Sequence, residues 1–128
     1  MNIAIMLVTH PGIGPAMQTQ AQQLLKSTQL HCVSVEIHQD DHPQDGLNRI
    51  QDVLEQMSEQ QCIMLTDIYG ATPCNLAIKA AEAKQIPLIH GLNLAMLLRA
   101  YNYASLPRAA LIEKITDGGK QAIFINQP

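Results

Sequence analysis

The sequence has no tryptophan, a single phenylalanine and three tyrosines, and only 15 % of its residues are charged. With 47 % hydrophobic residues, the interior must therefore be aliphatic, built from Ile, Leu, Val, Ala and Met, which suits an α/β sandwich. The net charge of −3 leaves no broad basic field, which argues against a nucleic-acid backbone as the main ligand. No apolar run reaches membrane-spanning length, so no direct membrane insertion is expected. The start Met1-Asn-Ile-Ala-Ile5 enters a strand without a basic leader or cleavage site, which predicts a cytoplasmic protein. Cys32, Cys62 and Cys74 are odd in number and show neither CxxC nor zinc-finger spacing, so reduced, mostly buried thiols are expected. The 128 residues fit one domain, 1–128, large enough for a core without disulfides or structural metal.

What the chain does have is two apolar runs that end alike. Ile3-Ala-Ile-Met-Leu-Val8 stops at Thr9-His10-Pro11-Gly12, and Cys62-Ile-Met-Leu65 stops at Thr66-Asp67-Ile68-Tyr69-Gly70. Short continuous apolar runs closed by Gly or Pro read as strands buried on both faces. Helical spacing follows the first, from Ala16 to Ser27. A weaker strand, His31 to Ile37, leads through a polar loop to Leu47, Ile50, Val53, Leu54 and Met57 on one helical face. After Asp67, Thr72-Pro73 opens a helix through Ala83, with Thr72 able to cap and Pro73 at the first helical position. Ile86 to Gly91 reads as a fourth strand, Asn93 to about Tyr101 as a helix, and Leu106 to Asp117 as a last helix stopped by Gly118-Gly119. Ala122-Ile-Phe-Ile125 reads as a closing strand.

This alternation predicts a doubly wound, mainly parallel sheet with helices on both faces. In the common flavodoxin-like strand order the first and third strands are neighbours, so His10 and Asp67 face each other at the carboxyl-end crevice. A carboxylate that accepts the Nδ1–H of a histidine leaves Nε2 with its lone pair, ready to attack an electrophile such as phosphorus. Gly70-Ala71-Thr72 then supplies donors at a helix N-terminus, where backbone N–H groups and the helix dipole favour an anion. Gly12 and Gly14 are candidates for a second wall. Gly12-Ile-Gly14 is neither a dinucleotide fingerprint nor a phosphate-binding P-loop, since Met17 stands where a third glycine belongs and no Gly-Lys-Ser/Thr follows. His38, Asp40, Asp41 and His42 have metal-ligand chemistry, but their place before a helix reads as a solvated capping region. His90 ends the fourth strand near the crevice and reads as structural. No metal and no cofactor are expected.

The segments Thr9-His10, Asp67-x-x-Gly70-x-Thr72-Pro73-x-Asn75 and Gly91-x-Asn93-x-x-Met96-Leu97 resemble the mannose-type IIA domains of the bacterial phosphoenolpyruvate-dependent sugar phosphotransferase system. The resemblance spans nearly the whole chain. It implies a phosphotransferase component in which His10 accepts a phosphoryl group from the carrier HPr and passes it to a IIB component in sugar uptake. Asp67 would orient His10, Thr72 would lie close to the phosphoryl group, and Thr9 and Asn93 would belong to the crevice. It also implies a homodimer in which a last antiparallel strand, here Ala122 to Ile125, is exchanged between subunits. Pro11, Ala71, Tyr69 and Ala95 depart from the family pattern. Two other readings share these residues. One is a regulatory phosphorylation sensor of an incomplete phosphotransferase system, modified on the same His10. The other is a receiver-like domain phosphorylated on Asp67, which lacks the acidic metal site after the first strand and a Lys closing the last.

Overall fold

The computed structural model describes residues 2–25 and 29–128. Four strands, β1 (Ile3–Thr9), β2 (His31–Glu36), β3 (Gln61–Thr66) and β4 (Leu88–His90), form one sheet in the order β2-β1-β3-β4, and every pairing is parallel. The helices are α1 (Ile13–Leu24), α2 (Pro43–Gln56), α3 (Thr72–Lys84), α4 (Leu94–Asn102) and α5 (Arg108–Gln121). The strand order and the two-faced helix cover agree with the sequence reading.

The central position of β1 follows from its composition, since all seven of its residues are buried. Alternate side chains feed two cores. Ala4, Met6 and Val8 meet Ile50 and Leu54 of α2 and Leu76, Ala77 and Ala80 of α3. Ile3, Ile5 and Leu7 meet Ala21 of α1, Leu97 and Ala100 of α4, and Leu111 and Ile115 of α5. A strand able to fill both cores has no polar alternation, which is why it reads as a continuous apolar run.

The register fixes the rim on which the site stands. Thr9 lies opposite Glu36, Val8 opposite Thr66, and Thr66 opposite His90, so the carboxyl ends of all four strands finish side by side. The turns that follow carry His10, His38, Asp67 and Gly91 along one edge of the molecule.

Several element boundaries differ from the sequence reading, each for a physical reason. Helix α1 starts three residues early, at Ile13, because Gly12 in the left-handed region serves as its N-cap; it ends at Leu24, since Leu25 is extended, and Lys26 and Ser27 lie outside the described residues. Ala71, not Thr72, is the N-cap of α3, so Thr72 and Pro73 are its first helical residues and no side chain caps it. Gly118-Gly119 does not stop α5, which runs on to Gln121. These two glycines are where α5 lies against α4: a Cβ on Gly118 would come 2.5 Å from Arg99 Cγ, and one on Gly119 would come 2.6 Å from Met96 Cγ. They permit close helix packing, a use that the letter Gly does not distinguish from a helix stop. Ala122 to Ile125 is not a strand of this sheet, and Ile123, Phe124 and Ile125 stand 79 %, 77 % and 78 % exposed. A β-prone apolar segment pairs only where an open edge is within reach.

Candidate functional site

His10 leaves the end of β1 and Asp67 the end of β3, and the parallel pairing of those strands brings them together. One oxygen of Asp67, Oδ2, accepts both the backbone N–H of His10 at 2.9 Å and its ring Nδ1 at 2.7 Å. The other, Oδ1, accepts from the backbone of Ile68 at 3.0 Å. Burial raises the Asp67 carboxyl's pKa, but the backbone and ring N–H groups of His10 outweigh it and hold the group below the usual carboxylate range. An ionised carboxylate only accepts, so Nδ1 carries a proton, and in the neutral ring the lone pair is on Nε2. Among the described residues no protein group bonds to Nε2, and the His10 side chain is 35 % exposed against 7 % for Asp67.

A cleft of about 510 Å³ opens beside this pair, lined on one side by Gly70, Ala71, Thr72 and Asn75 and on the other by Ile37, His38, Gln39 and Asp41. Gly70 adopts φ +90°, a left-handed conformation that turns the chain from β3 into α3 at little cost only for glycine. With no side-chain cap on α3, the first N–H groups of the helix are left for an anion, although Pro73 contributes none. The exposed Thr72 stands at this N-terminus.

The structure does not bring every expected residue to the cleft. Thr9 is fully buried beneath His10, its hydroxyl donating to the His10 carbonyl at 2.8 Å and accepting from Gly14 N–H at 3.0 Å. Gly12 gives its N–H to the Glu36 carboxylate at 2.6 Å, so neither Gly12 nor Gly14 offers an open donor. Asn93 caps α4: its Oδ1 accepts from Met96 N–H at 3.0 Å and its Nδ2 donates to the Gly119 carbonyl at 3.2 Å. With both ends of the amide committed, Asn93 lines a separate groove beside His90, Met96 and Ile123 instead of the His10 cleft.

The polar loop before α2 behaves as a cap. His42 Nδ1 accepts from Gln44 N–H, and Asp41 accepts from His38 N–H and from Arg49, which also donates to the Glu36 carbonyl. Among the described residues no group of three His, Cys, Asp or Glu side chains is placed to hold a metal ion. The loop nevertheless supplies the second wall of the cleft through His38. The sequence gives no sign of this, because it depends on β2 lying beside β1. The same register brings Glu36 to Gly12. All three cysteines are free; burial pushes the Cys32 thiol up to about 12 and Cys62 to about 11, so neither is a thiolate at neutral pH.

The comparisons with known proteins agree with this fold. The model of the EIIA-man family, the PTS system fructose IIA component, matches residues 4–116. The chain therefore belongs to the mannose-type IIA family of the phosphotransferase system. Three solved structures share its fold. The mannose/sorbose specific IIA subunit of the phosphotransferase system from Enterococcus faecalis is 23 % identical with a TM-score of 0.88, covering 100 % of this chain and 98 % of that one. The phosphotransferase system component EIIA from Streptococcus agalactiae is 19 % identical with a TM-score of 0.80, covering 96 % of each chain. The PTS IIA protein associated with the fucose utilization operon from Streptococcus pneumoniae is 17 % identical with a TM-score of 0.83, covering 98 % of this chain and 93 % of that one. A search of curated proteins finds no significant match.

Proposed function

We propose that this protein is a cytoplasmic phosphocarrier that takes a phosphoryl group from the phosphohistidine of HPr onto Nε2 of His10 and hands it to a IIB component in sugar uptake. The observation that carries this reading is the 2.7 Å bond from His10 Nδ1 to Asp67 Oδ2, which aims an unprotonated Nε2 toward solvent. In the forward step the Nε2 lone pair forms a bond to phosphorus as the donor's P–N bond breaks. That bond's electrons return to the donor imidazole. The Nδ1 proton stays on His10, and the Asp67 carboxylate offsets the positive charge the ring acquires. The open N–H groups at the start of α3 receive the phosphoryl oxygens, and transfer needs only positioning and charge stabilisation.

A protein partner suits the surroundings. Ile13, the first residue of α1, and Ile68 and Tyr69, on the turn after Asp67, are exposed large hydrophobics near the site, and Ile68 and Tyr69 are 57 % and 73 % exposed. Exposed apolar groups beside a reactive histidine fit docking of another folded carrier better than a soluble sugar. The exposed tail Ala122 to Ile125 supports a homodimer in which that segment pairs with the partner copy. Phosphorylation on Asp67 fits poorly, since both of its oxygens accept hydrogen bonds and it is nearly buried.

Incubation with phosphoenolpyruvate, enzyme I and HPr tests the reading. One acid-labile, base-stable phosphate is expected on His10, and His10→Ala should take up none. Label on His10→Ala equal to wild type would refute it. Labelled protein that passes phosphate to no IIB component would favour the regulatory sensor.

A further inference from the structure

His90 is not engaged by the chemistry above, yet its ring touches three parts of the segment that carries the site. The Val8–Thr66–His90 row of the sheet sets it beside Thr66, the residue before Asp67. Its Nδ1 lies 2.7 Å from the buried Thr66 hydroxyl and 3.6 Å from Sγ of the buried Cys74, in the first turn of α3. The ring also meets Tyr69 edge to face, with centroids 5.0 Å apart and planes at 78°. Thr66, Tyr69 and Cys74 bracket the whole stretch that presents the Asp67 carboxylate and the α3 N–H groups.

That stretch has few other anchors. Among the described hydrogen bonds, none joins the backbone of Ile68, Tyr69 or Gly70 to another part of the protein, and the Ile68 N–H turns back to Asp67's own Oδ1. Its position therefore depends on side chains: Asp67 on His10 at one point, and Tyr69 on His90 at the other. An edge-to-face pair of this geometry biases a short loop toward one conformation by about two- to twelvefold beyond burial.

We infer that His90 is a positioning residue for phosphoryl transfer, holding the β3–α3 turn through Thr66 and Tyr69 so that the Asp67 carboxylate and the anion-binding N–H groups stay aligned on His10. The inference rests on the phosphocarrier reading. His90 does not touch the phosphoryl group. Nδ1 has one lone pair, which can take the Thr66 hydroxyl at 2.7 Å, and the Cys74 thiol at 3.6 Å is a weaker second contact on the same atom.

Single-turnover transfer from phosphorylated HPr, measured with wild type, His90→Ala, His90→Gln and Thr66→Val, tests it. His90→Ala should transfer about tenfold more slowly at saturating donor, with the half-saturating donor concentration within about twofold of wild type, as expected for a misaligned but accessible site. His90→Gln, which keeps an acceptor for Thr66, should recover part of the rate. The double variant His90→Ala with Thr66→Val should be no slower than the slower single variant. The downfield Nδ1–H proton resonance of His10 should shift in a folded His90→Ala. A wild-type rate in a folded His90→Ala, or a loss confined to donor affinity, or additive losses in the double variant, would overturn the inference. If His90→Ala does not fold, a wild-type rate in His90→Phe, which keeps a ring but no acceptor, overturns the Thr66 half of it. Failure of wild type itself to label on His10 defeats the phosphocarrier reading instead.

Discussion

A single carboxylate oxygen that accepts two N–H groups of the same residue leaves His10 little freedom, because the backbone bond sets where the residue starts and the ring bond sets its rotation. On the phosphocarrier reading, Asp67→Asn keeps the shape but removes the charge that would stabilise a phosphorylated, cationic ring. Transfer should fall by about 10²–10⁴-fold with donor binding little changed, measured by rapid-quench labelling. The same pair predicts a pH dependence of stability. The folded Asp67 carboxyl is held below its ordinary value, so its contribution is complete above the ordinary carboxylate range and is lost as pH falls through the lowered folded value. The thermal midpoint of wild type should therefore drop below about pH 4, and more steeply than that of Asp67→Asn. Glu36 is a second charged acceptor at this scale: its 2.6 Å bond to Gly12 N–H sits at the positive end of α1. Glu36→Ala should cost about 0.5–2 kcal/mol, read from chemical denaturation.

At the scale of elements, α4 and α5 are joined at a contact made by two glycines. A methyl on Gly118 would lie 2.5 Å from Arg99 Cγ and one on Gly119 2.6 Å from Cγ of the buried Met96, each near the root of a side chain that must shift as a whole, and the latter also approaches Asn93 Nδ2 at 3.4 Å. Gly118→Ala and Gly119→Ala should each destabilise by about 1–3 kcal/mol through overpacking, with denaturant midpoints as the measure. The same elements show what was legible in the sequence. β1 and β3 are legible because a strand buried on both faces has no polar alternation to confuse it, and the His10–Asp67 meeting follows from the flavodoxin-like strand order that makes them neighbours. The second wall of the cleft was not readable, because His38 reaches it through the β2–β1 register and not through any local motif. Asn93 stood in the expected place in the chain, but which groups its amide would satisfy depended on how α5 packed. The Gly118-Gly119 pair was misread for a related reason: proximity to another helix leaves no mark on the local pattern.

For the molecule as a whole, Ile123, Phe124 and Ile125 are exposed, and β4 and β2 are the edges of the sheet. If the homodimer proposed above forms through this segment, wild type should run as a dimer by light scattering and deletion of residues 122–128, or Phe124→Asp, should leave a monomer with the secondary structure unchanged by circular dichroism. A mass that the deletion does not alter would refute that reading.

Because every strand ends on one rim and the His10–Asp67 pair rides on β1 and β3, the exposed residues 38–40, which lie beyond the core residue Ile37, can change with little effect on the core or the histidine. Their loop is braced from below by Arg49 and contributes only an outer wall. One wall of the cleft is thus carried on a piece of chain separate from the His10–Asp67 pair, so surface substitutions there can reshape the cleft while the pair keeps its geometry.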